Sequence, residues 1–214
     1  MKRILLIISL FLIVFLIYYF NIDKEIYYVS LGDYLSYGID NFKNTNYGYS
    51  NYIKDNYKDN LKNYVNYSTT DDYRVTDLIS DINYNKEITF NNKKYKIQNL
   101  LIKANLITIS IGMNDLIYSK TLTYDYIDGL LVNIEELFKL IRKYNKDEIY
   151  FLSFYNIINN SKLIDYTNKR LVGICNDYKI KYVDISILDT YFINNYPTKD
   201  GYLYIKDKII NFTK

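Results

Sequence analysis

The chain has no histidine, no tryptophan, one cysteine and one proline. Without histidine there is no Ser-His-Asp triad, no imidazole metal site and no imidazole proton transfer. A lone Cys175 rules out an intrachain disulfide and a cysteine-based zinc site. It leaves the compartment open, because many extracytoplasmic domains also lack disulfides. Alanine occurs once, at Ala104, while tyrosine occurs 28 times among abundant Asn, Lys and Ile. A strongly A/T-rich coding sequence gives this bias, so an individual tyrosine is not by itself a binding platform. What remains is ordinary: 214 residues, 49% hydrophobic and 24% charged, enough for one domain with a substantial core.

Lys2 and Arg3 precede an apolar run from Ile4 to Phe20 that only Ser9 interrupts. As a helix this run spans roughly 26 Å, within the range that crosses a bilayer. Tyr18 and Tyr19 close it where an aromatic belt would sit. A cleaved signal peptide is the alternative. That reading expects small residues at a cleavage site, and no Ala or Gly precedes Gly32. The pattern predicts an uncleaved signal anchor over residues 1–20, cytoplasmic at its N-terminus, with a polar linker over 21–25 and one extracytoplasmic domain over 26–214. Without Lys2 and Arg3 the chain holds 25 basic against 24 acidic side chains. No dense basic patch supports nucleic-acid binding.

Past the linker, short apolar runs alternate with amphipathic ones. Ile26–Leu31, Tyr64–Tyr67, Leu106–Ile111, Ile149–Phe154 and Tyr182–Ile185 read as buried strands. Ile127, Leu130, Leu131, Ile134, Leu137, Phe138 and Ile141 fall on one helical face. Helical spacing also appears from Leu163 to Ile174 and from Gly201 to Ile210. This alternation predicts an α/β fold with a parallel sheet covered on both faces. Ile88–Phe90 and Tyr95–Ile97 flank a polar turn at Asn91–Lys94 and predict an inserted hairpin. In such sheets the working loops lie at the carboxyl ends of the strands.

Those loops carry recognisable blocks. Ser30-Leu31-Gly32-Asp33-Tyr34-Leu35-Ser36-Tyr37-Gly38 follows the first strand, and Gly112-Met113-Asn114-Asp115 follows the third. Tyr196-Pro197-Thr198-Lys199-Asp200-Gly201-Tyr202 opens the last helix. Together with Asn46–Tyr52 they resemble the SGNH (GDSL) hydrolase family over roughly residues 26–212. The resemblance implies a three-layer α/β/α sandwich around a five-stranded parallel sheet of flavodoxin-like type, and ester or acyl hydrolysis of lipase or esterase kind. It implies no cofactor and no metal. The family's nucleophile is a Ser, its base a His ahead of the last helix, and its Asp lies three residues before that His. The nucleophile's backbone N–H, a Gly N–H after the second strand and an Asn side chain after the third form its oxyanion hole.

Carried across position by position, the pattern breaks where the chemistry is done. Tyr34 stands at the nucleophile, Tyr196 at the histidine and Ile193 at the aspartate; Asp72 falls at the oxyanion glycine, and Asn114 alone is kept. A hydroxyl attacks only when a base takes its proton, and imidazole is absent here. An Asp72 carboxylate would oppose a developing oxyanion. The rings of Tyr34 and Tyr196 are expected to fill the former site within aromatic contact, about 4.5–7 Å between centroids. Asn114, Asp33 and Asp115 read as loop ties and helix caps. Ser36 reads as a solvated first-turn serine without a base, and Ser110 as part of a buried strand. Asp71 and Asp72 alone are too few ligands for a cation, and Cys175 reads as a buried small hydrophobe. The Asn-x-Ser/Thr triplets carry no weight without a glycosylating host.

The leading expectation is a membrane-anchored, cell-surface domain of hydrolase type without catalysis, binding or scaffolding through an acyl or glycan ligand. One alternative is hydrolysis by an activated Tyr34 phenolate, demanding for a group with an ordinary pKa near 10. The other is a structural interaction domain with no pocket at the strand ends.

Overall fold

The computed structural model describes residues 24–39, 47–69, 72–193 and 196–212. The anchor expected over 1–20 lies outside these residues, as do 21–23 of the linker. Among the described residues no helix is long and apolar enough to cross a membrane.

The elements run β1 (Ile26–Gly32), α1 (Tyr34–Tyr37), α2 (Tyr49–Asn56), β2 (Leu61–Ser68), α3 (Val75–Asn83), β3 (Glu87–Phe90), β4 (Lys93–Lys96) and α4 (Ile97–Lys103). Then come β5 (Leu106–Ser110), α5 (Met113–Ile117), α6 (Tyr124–Tyr144), β6 (Glu148–Leu152), α7 (Ser161–Asp177) and β7 (Lys181–Val183). A 3-10 turn (Leu188–Tyr191), β8 (Phe192–Ile193), β9 (Tyr196–Pro197) and α8 (Lys199–Phe212) follow. The main sheet has order β2-β1-β5-β6-β7 and every pair in it is parallel. The chain reverses its direction of winding between β1 and β5, which puts a crevice at their carboxyl ends.

All five expected strands and all three expected helices are present, with shifted ends. The hairpin is β3–β4, but its turn is only Asn91 and Asn92, both at positive φ, and Ile97 begins α4 instead of ending a strand. Asparagine tolerates that left-handed backbone better than most residues. Lys93 and Lys94, expected in the turn, pair with Phe90 and Thr89.

The two faces of the sheet differ in chemistry, as strand alternation dictates. Val29, Leu31, Ile107, Ile109, Ile149 and Phe151 form an aliphatic face, all at most 2% exposed. Phe151 meets Phe138 of α6 edge to face, so this side packs under α6 and its neighbours α3, α4 and α7. The opposite face carries Tyr28, Ser30, Thr108, Ser110 and Tyr150 and is covered by α2 and α8. The hydroxyls of Tyr28, Thr108 and Ser30 satisfy one another, while Ser110 and Tyr150 donate to Asp33 and Glu148. Tyr28 Oη lies 2.8 Å from Thr108 Oγ1, and Tyr49 Oη of α2 lies 2.9 Å from Ser36 Oγ. Ser36 Oγ donates to the Leu31 carbonyl at 3.1 Å. Such a network fixes α1 and α2 over the sheet, because each orphaned hydroxyl would cost about 1–3 kcal/mol. Ser36 is therefore fully buried and bonded; the solvated position expected for it is corrected by this packing. Cys175 is buried as expected, and desolvation pushes its thiol up to about 12.

Gly32 is the tightest point. Its φ is +146°, and a Cβ there would fall 1.9 Å from the Ser110 carbonyl oxygen. Gly32→Ala should lose at least about 3 kcal/mol of stability or fail to fold. Gly129 in α6 and Gly173 in α7 have open space around the missing Cβ. Gly129→Ala and Gly173→Ala should each gain about 0.5–1 kcal/mol through helix propensity. Denaturant unfolding of the three variants checks both signs; a tolerated alanine at 32 would refute the close approach.

Candidate functional site

The crevice between β1 and β5 holds the first and third blocks. Immediately after Gly32, the Asp33 N–H donates to the Ser110 carbonyl at 2.9 Å. The Asp33 side chain is buried: Oδ1 accepts from Leu35 N–H at 3.3 Å, capping α1, and from Ser110 Oγ at 3.1 Å. Oδ2 has no partner among the described residues. Burial pushes this carboxyl up to about 7, against the pull of its hydrogen bonds. Asp33 is thus a cap and strap, as the sequence suggested.

Tyr34, at the nucleophile position, opens α1. Its ring is half-buried, but its hydroxyl is shut off from water and unpartnered among the described residues. Desolvation first, then the Asp33 carboxyl and the phenols of Tyr202, Tyr118 and Tyr196, hold its pKa well above the ordinary tyrosine value. Tyr196 lies near enough for its phenol to act on Tyr34, yet the aromatic pairs among the described residues do not include Tyr34 with Tyr196. The expected ring contact between them is therefore corrected. A looser group of tyrosines occupies the position, and Tyr202 Oη, which donates to the Ile39 carbonyl at 2.6 Å, ties it to the chain after α1.

Tyr196 and Ile193 face each other across the β8–β9 ladder, as direct cross-strand partners. Ile193 is 52% exposed and brings no carboxyl to orient a base. Asp72 is also exposed, and Arg74 grips its carboxylate through Nε at 2.9 Å and Nη2 at 2.7 Å. That hydrogen-bonded guanidinium lowers the Asp72 pKa and compensates the charge expected to oppose an oxyanion.

Gly112-Met113-Asn114-Asp115 works as a clamp on the chain after β2. Gly112 has φ +104°, and a Cβ there would fall 2.8 Å from the Phe154 ring. Asn114 Nδ2 donates to the Tyr73 carbonyl at 3.1 Å, and Asp115 Oδ2 accepts from Val75 N–H at 3.2 Å, at the start of α3. Burial pushes Asp115 up to about 6. Asn114, expected at an oxyanion position, uses its amide N–H to hold this loop. The sequence marks only the Asn46–Tyr52 segment, and the fold makes Tyr49 within it the partner of Ser36. Among the described residues no group of acidic or cysteine side chains is placed to hold a metal ion.

These carboxyls fix the pH dependence of stability. Asp33 has a folded pKa raised to about 7 and Asp115 one raised to about 6, both above the unfolded range. Between about pH 4 and 7 the unfolded chain is ionised while the folded one keeps its protons, so stability falls as pH rises and levels off above 7. Asp33→Asn should match the native chain near pH 4 and exceed it by on the order of 2–4 kcal/mol at pH 8. Urea unfolding across this range checks it; an unchanged slope in the variant would count against a protonated Asp33.

No model of a known protein family matches the sequence, and no curated protein matches it. Solved structures do. A catalytic mutant of Axe2, an acetylxylan esterase from Geobacillus stearothermophilus, superposes with a TM-score of 0.65 at 14% identity, over 89% of this chain and 94% of that one. The lipase Lip_vut3 from a goat rumen metagenome gives 0.60 at 18% identity, over 86% and 95%. A member of the lipolytic G-D-S-L family from Veillonella parvula gives 0.60 at 14% identity, over 87% and 98%. With the sheet order and the order of the blocks along the chain, these likenesses establish that the chain has the fold of the SGNH (GDSL) hydrolases.

Proposed function

We propose that this chain is a membrane-anchored, extracytoplasmic domain of SGNH-hydrolase type that does not hydrolyse esters and acts by binding or scaffolding at the cell surface. One observation carries the reading: the expected nucleophile position holds a tyrosine whose hydroxyl is buried without a partner among the described residues, in a chain with no histidine to take its proton. In a model hydrolase, losing nucleophile or base alone costs on the order of a million-fold in turnover. The Tyr34 phenolate alternative needs a lowered pKa, and every influence named on Tyr34 raises it. An opposing Lys or Arg is missing from those influences. The alternative of a domain with no pocket at the strand ends is disfavoured by the cleft beside β2 described below.

The anchor rests on the Ile4–Phe20 run. If it spans, the short linker brings the membrane to the start of β1 at Ile26. The five parallel strands then begin on the membrane side. Their carboxyl ends, with Tyr34 and Asn114, face away from it at about 20 Å, the length of β1. A surface ligand would meet that outer pole first.

Short p-nitrophenyl acyl esters should show no turnover above buffer with the purified chain. Turnover abolished by Tyr34→Phe would overturn the reading. Tyr34→Ser alone should stay inactive, because no base is supplied. Tyr34→Ser with Ile193→Asp and Tyr196→His should gain measurable turnover, since cross-strand partners stand close enough for an Asp–His hydrogen bond. Detergent, but not high salt, should release the full chain from membranes; release by salt would remove the anchor.

A further inference from the structure

We propose that the cleft beside the end of β2, walled by the β3–β4 hairpin, binds a neutral saccharide, the exposed end of a cell-surface glycan. This rests on the reading of the domain as a binding module and gives it a site away from the filled nucleophile position. The cleft has a volume of about 280 Å³, near the small end of the range for small-molecule sites. Its apolar walls are Tyr37, Tyr73, Ile88 and Phe90, drawn from α1, the loop after β2 and the inserted hairpin.

Its polar centre is Asp81 of α3. Asp81 Oδ2 accepts from Tyr67 Oη at 3.0 Å, Tyr73 Oη at 2.8 Å and Lys86 Nζ at 3.0 Å. Burial and the Asp81 charge hold both phenols far above their ordinary pKa, so both remain donors. The carboxylate is thereby fixed in place, while no described residue is bonded to Oδ1. Lys86 Nζ is half-exposed and keeps protons to donate. The cleft thus sets a rigid acceptor beside a donor, between aromatic walls.

That pattern selects among ligands. Neighbouring sugar hydroxyls both donate and accept, so they can satisfy Asp81 and Lys86 together, and the apolar face of a pyranose can lie on a ring. An acyl chain would bury both polar groups unpaired, at a cost of 1–3 kcal/mol or more. A phosphate would be repelled by the Asp81 carboxylate, which already balances the charge of Lys86 at 3.0 Å while leaving the other Lys86 protons free to donate. A metal ion would meet Lys86 and a single carboxylate, short of a hard-cation site.

The test uses the full chain in lipid nanodiscs, free of glycoside detergents, with chitotriose, cellotriose and xylotriose as separate probes. At least one should bind saturably in calorimetry, with Kd in the range of ~10 µM to 1 mM. Phe90→Ala and Asp81→Asn should each weaken it about tenfold or more. Asp81→Asn also disturbs three hydrogen bonds, so Thr89→Arg, on the exposed hairpin rim, provides a variant that blocks the cleft without touching them. No binding of any of the three at about 10 mM would overturn the proposal. So would saccharide binding unchanged in Phe90→Ala and Thr89→Arg, or octanoate binding that Thr89→Arg abolishes while none of the saccharides binds. Ester turnover in the wild-type chain would instead sink the non-catalytic reading, which is how the two failures are told apart.

Discussion

Everything at the working end of this molecule depends on how closely β1 approaches β5 at their carboxyl ends. Gly32 makes the approach possible, and Asp33 closes it through its N–H on the Ser110 carbonyl and its carboxyl on the Ser110 hydroxyl. In a doubly wound sheet this is where the crevice opens, because the chain winds away on both sides. The same few atoms therefore set where α1 begins, which way Tyr34 points and how far the loop after β5 can shift. A carboxyl buried at that junction costs stability when ionised. The fold accepts the cost because the protonated or hydrogen-bonded group ties two strands that share no connecting turn.

Around that junction the third block has a mechanical role. Asn114 and Asp115 hold the chain after β2 through Tyr73 and Val75, and so fix the start of α3. In a working hydrolase an Asn at that position faces an oxyanion. Here the amide already donates to a carbonyl, so retaining it needs no reaction to explain it. The loop it holds supplies Tyr73, whose phenol then helps immobilise Asp81 in the adjacent cleft. The clamp thus serves the cleft whether or not the crevice performs chemistry.

Much of this was legible in the residues. Strand runs such as Leu106–Ile111 and the α6 stripe from Ile127 to Ile141 are periodic enough to read directly, and β-hairpin residues around Asn91 and Asn92 announce a turn. The expectation that Tyr34, Ile193 and Tyr196 stand at the three triad positions comes from the order of the blocks alone. What could not be read depends on distance across the fold. Ser36 looks solvated in the sequence because its partners are Leu31 and Tyr49, one of them on another helix. Asp72 looks like an obstacle until Arg74, two residues on, turns out to grip it. Tyr34 and Tyr196 are brought near each other without a ring contact, because the short β8–β9 ladder sets Tyr196 opposite Ile193. Asp81 carried no signal at all: its three donors come from β2, the loop after β2 and the chain beyond α3.

A tyrosine at the carboxyl end of β1 has a definite energetic character. A serine there without a base would leave a small, wet, functionless gap. A half-buried ring instead removes part of its apolar surface from water, on the order of 1–1.5 kcal/mol. The Tyr34 hydroxyl, without a partner among the described residues, gives back about 1–3 kcal/mol. These terms nearly cancel, so the substitution gains little stability, and stability alone does not explain it. Its consequence is steric: reacting groups are kept out of the crevice while the neighbouring cleft, one helical turn along α1 at Tyr37, stays open.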